Sequence, residues 1–279
     1  MDFAATLASA IDTFTTFISI HFSFVFDTIS FIIQTLEHSI SFTLMATPQW
    51  LLIVIVAVVA LLVGSIGLSA FSIIGLTFIA ALGLWAPAMS TLSLVLASAL
   101  LSLIIGIPLG ILISESKRLL TLLEPVLDFM QTMPPFVLLI PAVLIFGVGT
   151  VPGVVATIFF AMPLPVRFTA HGLTSVEKDA VEAGEAFGAN RCQILFLIKL
   201  PLAAKSIMAG VNQCVMMCLS MVIIASMIGA GGLGDEIMRS ISRLQVGRGV
   251  LAGLAVVILA ILIDRLTKRI ASREKPASR

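Results

Sequence analysis

Residues 182–201 read EAGEAFGANRCQILFLIKLP. This run of small and charged residues lies between two apolar stretches, 151–170 and 206–228, each long enough to cross a bilayer. Asn190-Arg-Cys-Gln193 offers a helix start directly after Gly188, a residue suited to ending the helix before it, and Thr174-Ser-Val-Glu177 has the capping-box spacing that would open that earlier helix. Pro201 has no amide to donate and is expected to close the second helix. Segment 174–201 is thus predicted as helix, sharp turn and helix, joining two membrane spans. Ala183, Gly184, Ala186, Gly188 and Ala189 keep one surface almost free of side-chain bulk, so that a groove of another protein can approach the backbone, and Glu182 and Glu185 set charge beside it. The plainer alternative is an ordinary amphipathic connector.

The surrounding chain fixes the class. Hydrophobic residues make up 59% of it and charged residues 11%, with a mean hydropathy of +1.17, whereas soluble domains carry about one quarter charged residues. An all-α, polytopic membrane protein is predicted. Spans are expected at 49–65, 67–86, 88–113, 119–149, 151–170, 206–228 and 248–266, seven crossings in all. The fourth holds Pro125, Pro134, Pro135 and Pro141 and is expected to be a broken helix. No Lys or Arg precedes Lys117; the basic residues gather at Lys117 and Arg118, at Arg167, Lys178, Arg191, Lys199 and Lys205, and in the tail from Arg265 to Arg279. Short cytoplasmic loops carry that excess, so the N-terminus is expected outside and the C-terminus inside. Met1 is followed by no basic run, so no cleavable signal peptide is expected and insertion would rely on the spans.

The chain divides into 1–48, 49–87, 88–270 and a basic tail, 271–279. In the first part, Phe and Ile runs are interrupted by Asp12, His21, Asp27 and His38. Helices lying in the outer interface with one apolar face down are expected there, a further pair of crossings being the alternative. Residues 49–87 supply two accessory spans. Trp50 and Trp85 are placed near the outer surface as interfacial anchors.

Several function classes drop out. A net charge of +1 without a basic run or stacking aromatics argues against nucleic acid. Cys192, Cys214 and Cys218 lack metal-ligand spacing, as do the isolated histidines, so no metal site is expected. Cys214 and Cys218 share a helix face and read as small buried apolar residues. No G-x-x-x-x-G-K-[ST] occurs, so any ATP would be held by another chain. Gly229, Gly231 and Gly234 formally spell G-x-G-x-x-G, but a membrane helix rather than a strand precedes them. With Gly232 they read instead as an outer break between spans and part of an external gate. Polar residues at membrane depth need partners or a wet cavity. Asp128, Gln131 and Thr132 lie in the broken span, with Pro134 at its break, and Asn212 and Gln213 lie in the sixth span. Lining a translocation pathway and fixing the bundle by interhelical hydrogen bonds are both open for them.

One pattern is more specific. Glu182, Ala183, Gly184, the three residues Glu185, Ala186 and Phe187, then Gly188, nine more residues, Ile198, Lys199, Leu200 and Pro201 resemble the EAA signature of ATP-binding-cassette importer permeases. Gly184 stands where the signature has its second Ala. Residues 89–111, MSTLSLVLASALLSLIIGIPLGI, the stretch 125–160 beginning PVLDFMQTMPPF, and residues 207–234, IMAGVNQCVMMCLSMVIIASMIGAGGLG, are similar to permeases of glycine betaine, proline betaine and choline importers. The likeness runs from about Ala88 to Ile270.

The resemblance implies a type I importer core in the inner membrane, working as a homodimer. Each copy would offer its insert as a coupling helix to a cytoplasmic ATPase that holds ATP and Mg, and an external or periplasmic binding protein would deliver the solute. This chain would bind no cofactor and perform no covalent chemistry. A quaternary ammonium cargo is usually held by an aromatic cage; with no Tyr and two Trp, selection is expected in the binding protein. The rivals are an ion-coupled secondary transporter using the broken helix and Asp128, and a membrane scaffold that merely docks a partner through the insert.

Overall fold

The computed structural model describes residues 20–273, together with Ser9 and Thr13. Asp12, most of the expected interfacial segment before residue 20 and the tail beyond residue 273 lie outside the described residues. What is described is helical and connected by short turns. In chain order the helices are α1 (Ser23–Ala46), α2 (Gln49–Val63), α3 (Ile66–Ala81), α4 (Trp85–Ser114), α5 (Lys117–Thr132), α6 (Pro135–Phe146), α7 (Thr150–Ala161), α8 (Pro163–Thr174), α9 (Lys178–Ala186), α10 (Arg191–Ile228), α11 (Leu233–Ser242) and α12 (Val246–Arg273).

Among the described residues, four helical stretches are long and apolar enough to cross a membrane: α4, α7 with α8 as one stretch of 25 residues, α10 and α12. Two bent pairs, α1 with α2 at 104° and α5 with α6 at 97°, raise the number of candidate spans to six if each is one span. The sequence led to an expectation of seven. The difference lies partly in α2 and α3, with 15 and 16 residues, which reach only about 22–24 Å against a hydrocarbon core of about 30 Å. They fold back on one another at Gly64 and Ser65, whose hydroxyl caps α3 by accepting from the Leu68 amide at 3.4 Å.

The broken fourth span is present. Its prolines act unequally: Pro125 and Pro141 sit inside helices, whereas Pro134 and Pro135 make the break. Met133, forced away from helical geometry by the proline after it, is extended at φ −65°, ψ 132°. Pro135 then opens α6, where a missing amide costs nothing.

The bundle centres on α8, which lies between α4 and α10 at backbone contact distance. A Cβ on Gly106 would stand 2.7 Å from the Pro165 ring, and one on Gly110 would stand 2.6 Å from the Val166 carbonyl and 2.7 Å from Thr169 Cβ. On the other side a Cβ on Gly210 would stand 2.6 Å from Phe168, and Ser206 Oγ donates to the Phe168 carbonyl at 2.8 Å. Without a hydrophobic driving force between helices in lipid, close approach of small residues is what holds them together. Val154, Cys214, Cys218 and Met221 fill the main core beside this seam.

A second core joins α2, α3, α4 and α12 through Leu76, Ile79, Met89 and Leu259. Trp85 belongs to it and is 7% exposed, while Trp50 is 67% exposed. Trp85 is therefore a packing residue rather than an interfacial anchor: the tight turn at Gly83 carries it under the α2–α3 pair. Helix α1 is fastened to the bundle: Ile33 is buried in the main core, Phe26 meets the Phe146 ring edge-on at 5.5 Å, and Ser93 Oγ donates to Glu37 Oε1 at 2.8 Å.

Two local expectations fail. Thr174 does not open the insert; it is the last residue of α8, and its hydroxyl donates back to the Ala170 carbonyl at 2.9 Å, within its own helix. Helix α9 starts at Lys178 instead, with no side-chain cap from Glu177. Pro201 does not end a helix either. Residues Ile194–Lys199 adopt π geometry, which widens the turn before the proline ring, and the helix continues without interruption through the 38 residues of α10.

Replacing Gly110 by Ala should push α4 away from the α8 backbone and cost about 1–3 kcal/mol, read as a lower melting temperature of the detergent-solubilised protein. Gly253→Ala, whose Cβ would meet nothing within 4 Å, should leave it unchanged.

Candidate functional site

The elbow between α8 and α10 is built from local chemistry. Helix α9 ends in a Schellman arrangement: Gly188, at φ +80°, donates its amide to the Glu185 carbonyl at 2.9 Å, and the Ala189 amide reaches the Gly184 carbonyl at 3.0 Å. Asn190 then opens α10 with a reciprocal capping box, its Oδ1 accepting from the Gln193 amide at 2.9 Å and its own amide donating to Gln193 Oε1 at 2.8 Å. The turn and the second start thus lie where the sequence puts them.

The two arms of the elbow close on each other through Gly184 and Ile198. A Cβ on Gly184 would stand 2.4 Å from Ile198 Cδ1, so the methyl group occupies the space an alanine would fill. The small face predicted to receive a partner is therefore partly used inside the chain. Ile194 is buried beneath it, and Ala189 and Leu200 are half-buried. Glu182, Ala183, Glu185, Ala186, Phe187, Gly188 and Pro201 remain exposed, and Phe187 at the tip is 92% exposed. Phe196 and Leu197 add two exposed apolar side chains that sequence reasoning passed over. The signal was a pair of large apolar residues lying off the Ile194 and Ile198 face. Lys199 ties the second arm to the end of α4 by an ion pair with Glu115 at 3.2 Å.

The polar residues of the broken span and of α10 belong to different contacts. Asp128 on α5 pairs with Arg167 on α8, across the foot of the broken span. Beside them a cleft of 260 Å³ opens between α4, α5 and α8, with Glu124, Arg167, His171 and Thr174 in its wall. Gln131 is half-buried one turn along from Asp128, and Thr132 donates to the Phe129 carbonyl of its own helix at 3.3 Å. Asn212 turns to α12, where its Nδ2 donates to Asp264 Oδ1 at 3.3 Å and Lys268 donates to Oδ2 at 2.9 Å. For Asn212 this is an interhelical hydrogen bond; Gln213 beside it is exposed. Arg167 and Asp264 were not identified as partners from the sequence, being 39 and 52 residues from the groups they meet; the Asp264–Lys268 pair was passed over although its four-residue helical spacing offers it.

At the other end of α10, Gly229, Gly231 and Gly232 have φ of +83°, +83° and +80° and carry the chain into α11. The first amide of α11, from Leu233, donates to Thr91 Oγ1 at 2.8 Å, and a Cβ on Gly232 would stand 2.5 Å from the same hydroxyl. A Cβ on Gly234 would meet Ser226 Oγ at 2.3 Å. Gly229, Gly231 and Gly232 make the break, Gly232 lets α11 start against α4, and Gly234 lets it lie against the end of α10.

Comparison with known proteins agrees with this architecture. Residues 102–276 match the family model of the binding-protein-dependent transport system inner membrane component. The chain is 44% identical to the glycine betaine transport system permease protein OpuAB of Bacillus subtilis, over 96% of this chain and 95% of that one. It is also 44% identical to the glycine betaine/proline betaine transport system permease protein ProW of Escherichia coli, over 90% of this chain and 71% of that one. Among solved structures, an inward-facing form of the MetNI methionine ABC transporter superposes with a TM-score of 0.64 at 21% identity, covering 69% of this chain and 96% of that one; this likeness speaks for the fold. The chain belongs to the binding-protein-dependent transport system inner membrane component family, as a transporter subunit rather than an enzyme.

Proposed function

We propose that this subunit forms the translocation pathway for glycine betaine, or a related osmolyte such as proline betaine, choline or another methylated amine, in an ATP-driven importer of the cytoplasmic membrane. Two copies pair as a homodimer. A separate ATPase carrying ATP and Mg grips the elbow from the cytoplasm, and an external binding protein delivers and selects the solute. Seven crossings with the N-terminus outside and the C-terminus inside put the elbow in the cytoplasm and Gly229, Gly231, Gly232 and Gly234 at the outer gate. The first 48 residues serve as an interfacial and accessory segment around the core.

The observation that carries this reading is mechanical. The exposed tip at Phe187, with Glu182 and Glu185 beside it, sits on an elbow whose arms are locked by Gly184 against Ile198. One arm runs on as the 38-residue α10, and α8, clasped by α4, runs into the other. A displacement applied at the tip therefore reaches the bundle without being absorbed in the turn. It shifts the equilibrium between outward and inward access only if the motor contacts the elbow differently in the two states. Asp128 and Arg167 join the broken span to α8 at the foot of this lever, with Gln131, Thr132 and Pro134 above them along the pathway. Paired with a cation of its own chain, Asp128 is a poor site for a driving ion, which counts against ion-coupled transport.

Reconstitution with the cognate ATPase and binding protein should give ATP-dependent glycine betaine uptake; ATP-independent uptake driven by an ion gradient would overturn the proposal. In the same vesicles Gly188→Leu should leave the protein inserted while uptake per ATP hydrolysed falls. The open space around Gly188 means that its cost is backbone strain, about 1–2 kcal/mol, rather than a clash. Gly188→Asn, which tolerates that conformation, should stay near the parent, and unchanged coupling in the Leu variant would refute the role of the turn. Asp128→Arg should impair uptake and the swap Asp128→Arg with Arg167→Asp should restore part of it. A double-mutant cycle should give a coupling of about 0.5–1 kcal/mol, the low end because the pair is half-exposed.

A further inference from the structure

Helix α5 starts at the elbow end of the bundle, just after α4, and α8 ends there, so the two run in opposite senses where they meet. Each brings polar side chains one turn apart to that meeting: Glu124 and Asp128 on α5, Arg167 and His171 on α8. Asp128 and Arg167 are paired. On the elbow side of that pair Glu124 and His171 both stand in the wall of the 260 Å³ cleft. Glu124 is exposed and takes part in none of the ion pairs among the described residues. Arg167 reaches Asp128 through one terminal nitrogen, and its Nε has no partner. A guanidinium has five N–H groups, so Asp128 does not exhaust it.

The two walls of the cleft thus differ in sign. The α8 wall carries the Arg167 guanidinium and the His171 ring, and the α5 wall carries the Glu124 carboxylate. A simple anion on the first wall would meet two carboxylates, Glu124 and Asp128. A simple cation on the second would meet Arg167. Among the described residues no three His, Cys, Asp or Glu side chains are grouped to hold a metal ion. A molecule that carries both charges a few bonds apart satisfies both walls. The cleft is smaller than the roughly 300 Å³ at which pockets for drug-sized ligands begin, which restricts the guest to a small solute. No Phe, Tyr or Trp lines it, so an onium group is held by charge alone, without the cage that gives tight binding. Weak holding suits a station on a pathway, because the solute must also leave it.

We propose, resting on the transport function above, that this cleft is a station for a small zwitterion at the elbow end of the pathway. The onium group lies beside Glu124 and the carboxylate against Arg167 and His171. Of the solutes named above, glycine betaine and proline betaine carry both charges, whereas choline lacks the carboxylate and is held on one wall only.

Saturation-transfer difference NMR on the full-length chain in detergent, with glycine betaine, tetramethylammonium and acetate as probes, separates the halves of the site. Glycine betaine should bind about fivefold more tightly than either half-molecule. Glu124→Gln should weaken glycine betaine about three- to fivefold and leave the melting temperature unchanged, since Glu124 holds no partner in the fold. Glu177→Gln removes an exposed carboxylate just before α9, outside the cleft, and should change nothing. Absence of saturation transfer to glycine betaine, binding of tetramethylammonium or acetate as tight as that of glycine betaine, or an equal effect of the two variants each overturns the station. ATP-dependent uptake by the reconstituted complex of a parent chain that shows no such binding would remove the station and leave the transport function standing. Zwitterion binding without uptake would do the reverse.

Discussion

Everything else in this bundle depends on how closely α8 is allowed to approach its neighbours. Gly106 and Gly110 on one side and Gly210 on the other leave no side chain between helices, and Ser206 adds a hydrogen bond to the α8 backbone. In lipid, where exposure of a Leu costs nothing, packing of this kind supplies what burial supplies in water. It also fixes geometry. Because α8 leads into the elbow and α10 leads out of it, the clasp determines where the elbow points.

The elbow itself is held by a different set of forces. A Schellman turn, a capping box and one methyl group against a glycine define it, and each is short-range in sequence. That division explains why the exposed surface of the elbow is free for contact. The residues that shape it, Gly184, Asn190, Gln193 and Ile198, are largely other than those that show at its tip, Glu182, Glu185 and Phe187. Glu185 and Gly188 serve both, each shaping the turn through its backbone. Gly184 thereby acquires a physical reason: it makes room for Ile198.

What was legible in the sequence follows the range of each interaction. The break at Pro134 and Pro135, the turn at Gly188 and the cap at Asn190 depend on neighbours within a few residues and could be read directly. Two readings of the same kind failed where local chemistry had a competitor. The Thr174 hydroxyl found a carbonyl in the preceding helix, and the π segment before Pro201 removed the clash that ends most helices at a proline. The pairs that organise the candidate pathway could not be read at all. Asp128 with Arg167 and Asn212 with Asp264 are joined only by the fold, and the burial of Trp85 depends on a hairpin whose return path no local pattern specifies.

The π segment has a geometric corollary. A π turn holds one residue more than an α turn, and one residue in an α-helix is about 100° of rotation. The half of α10 that carries Ile194 and Ile198 is thus out of phase with the half that carries Gly210, Cys214 and Cys218, by an angle set by a single amino acid between 194 and 199. Shortening that interval by one residue would leave both halves well formed and aim them differently: the handle and the blade would each be sound, and the tool would no longer cut.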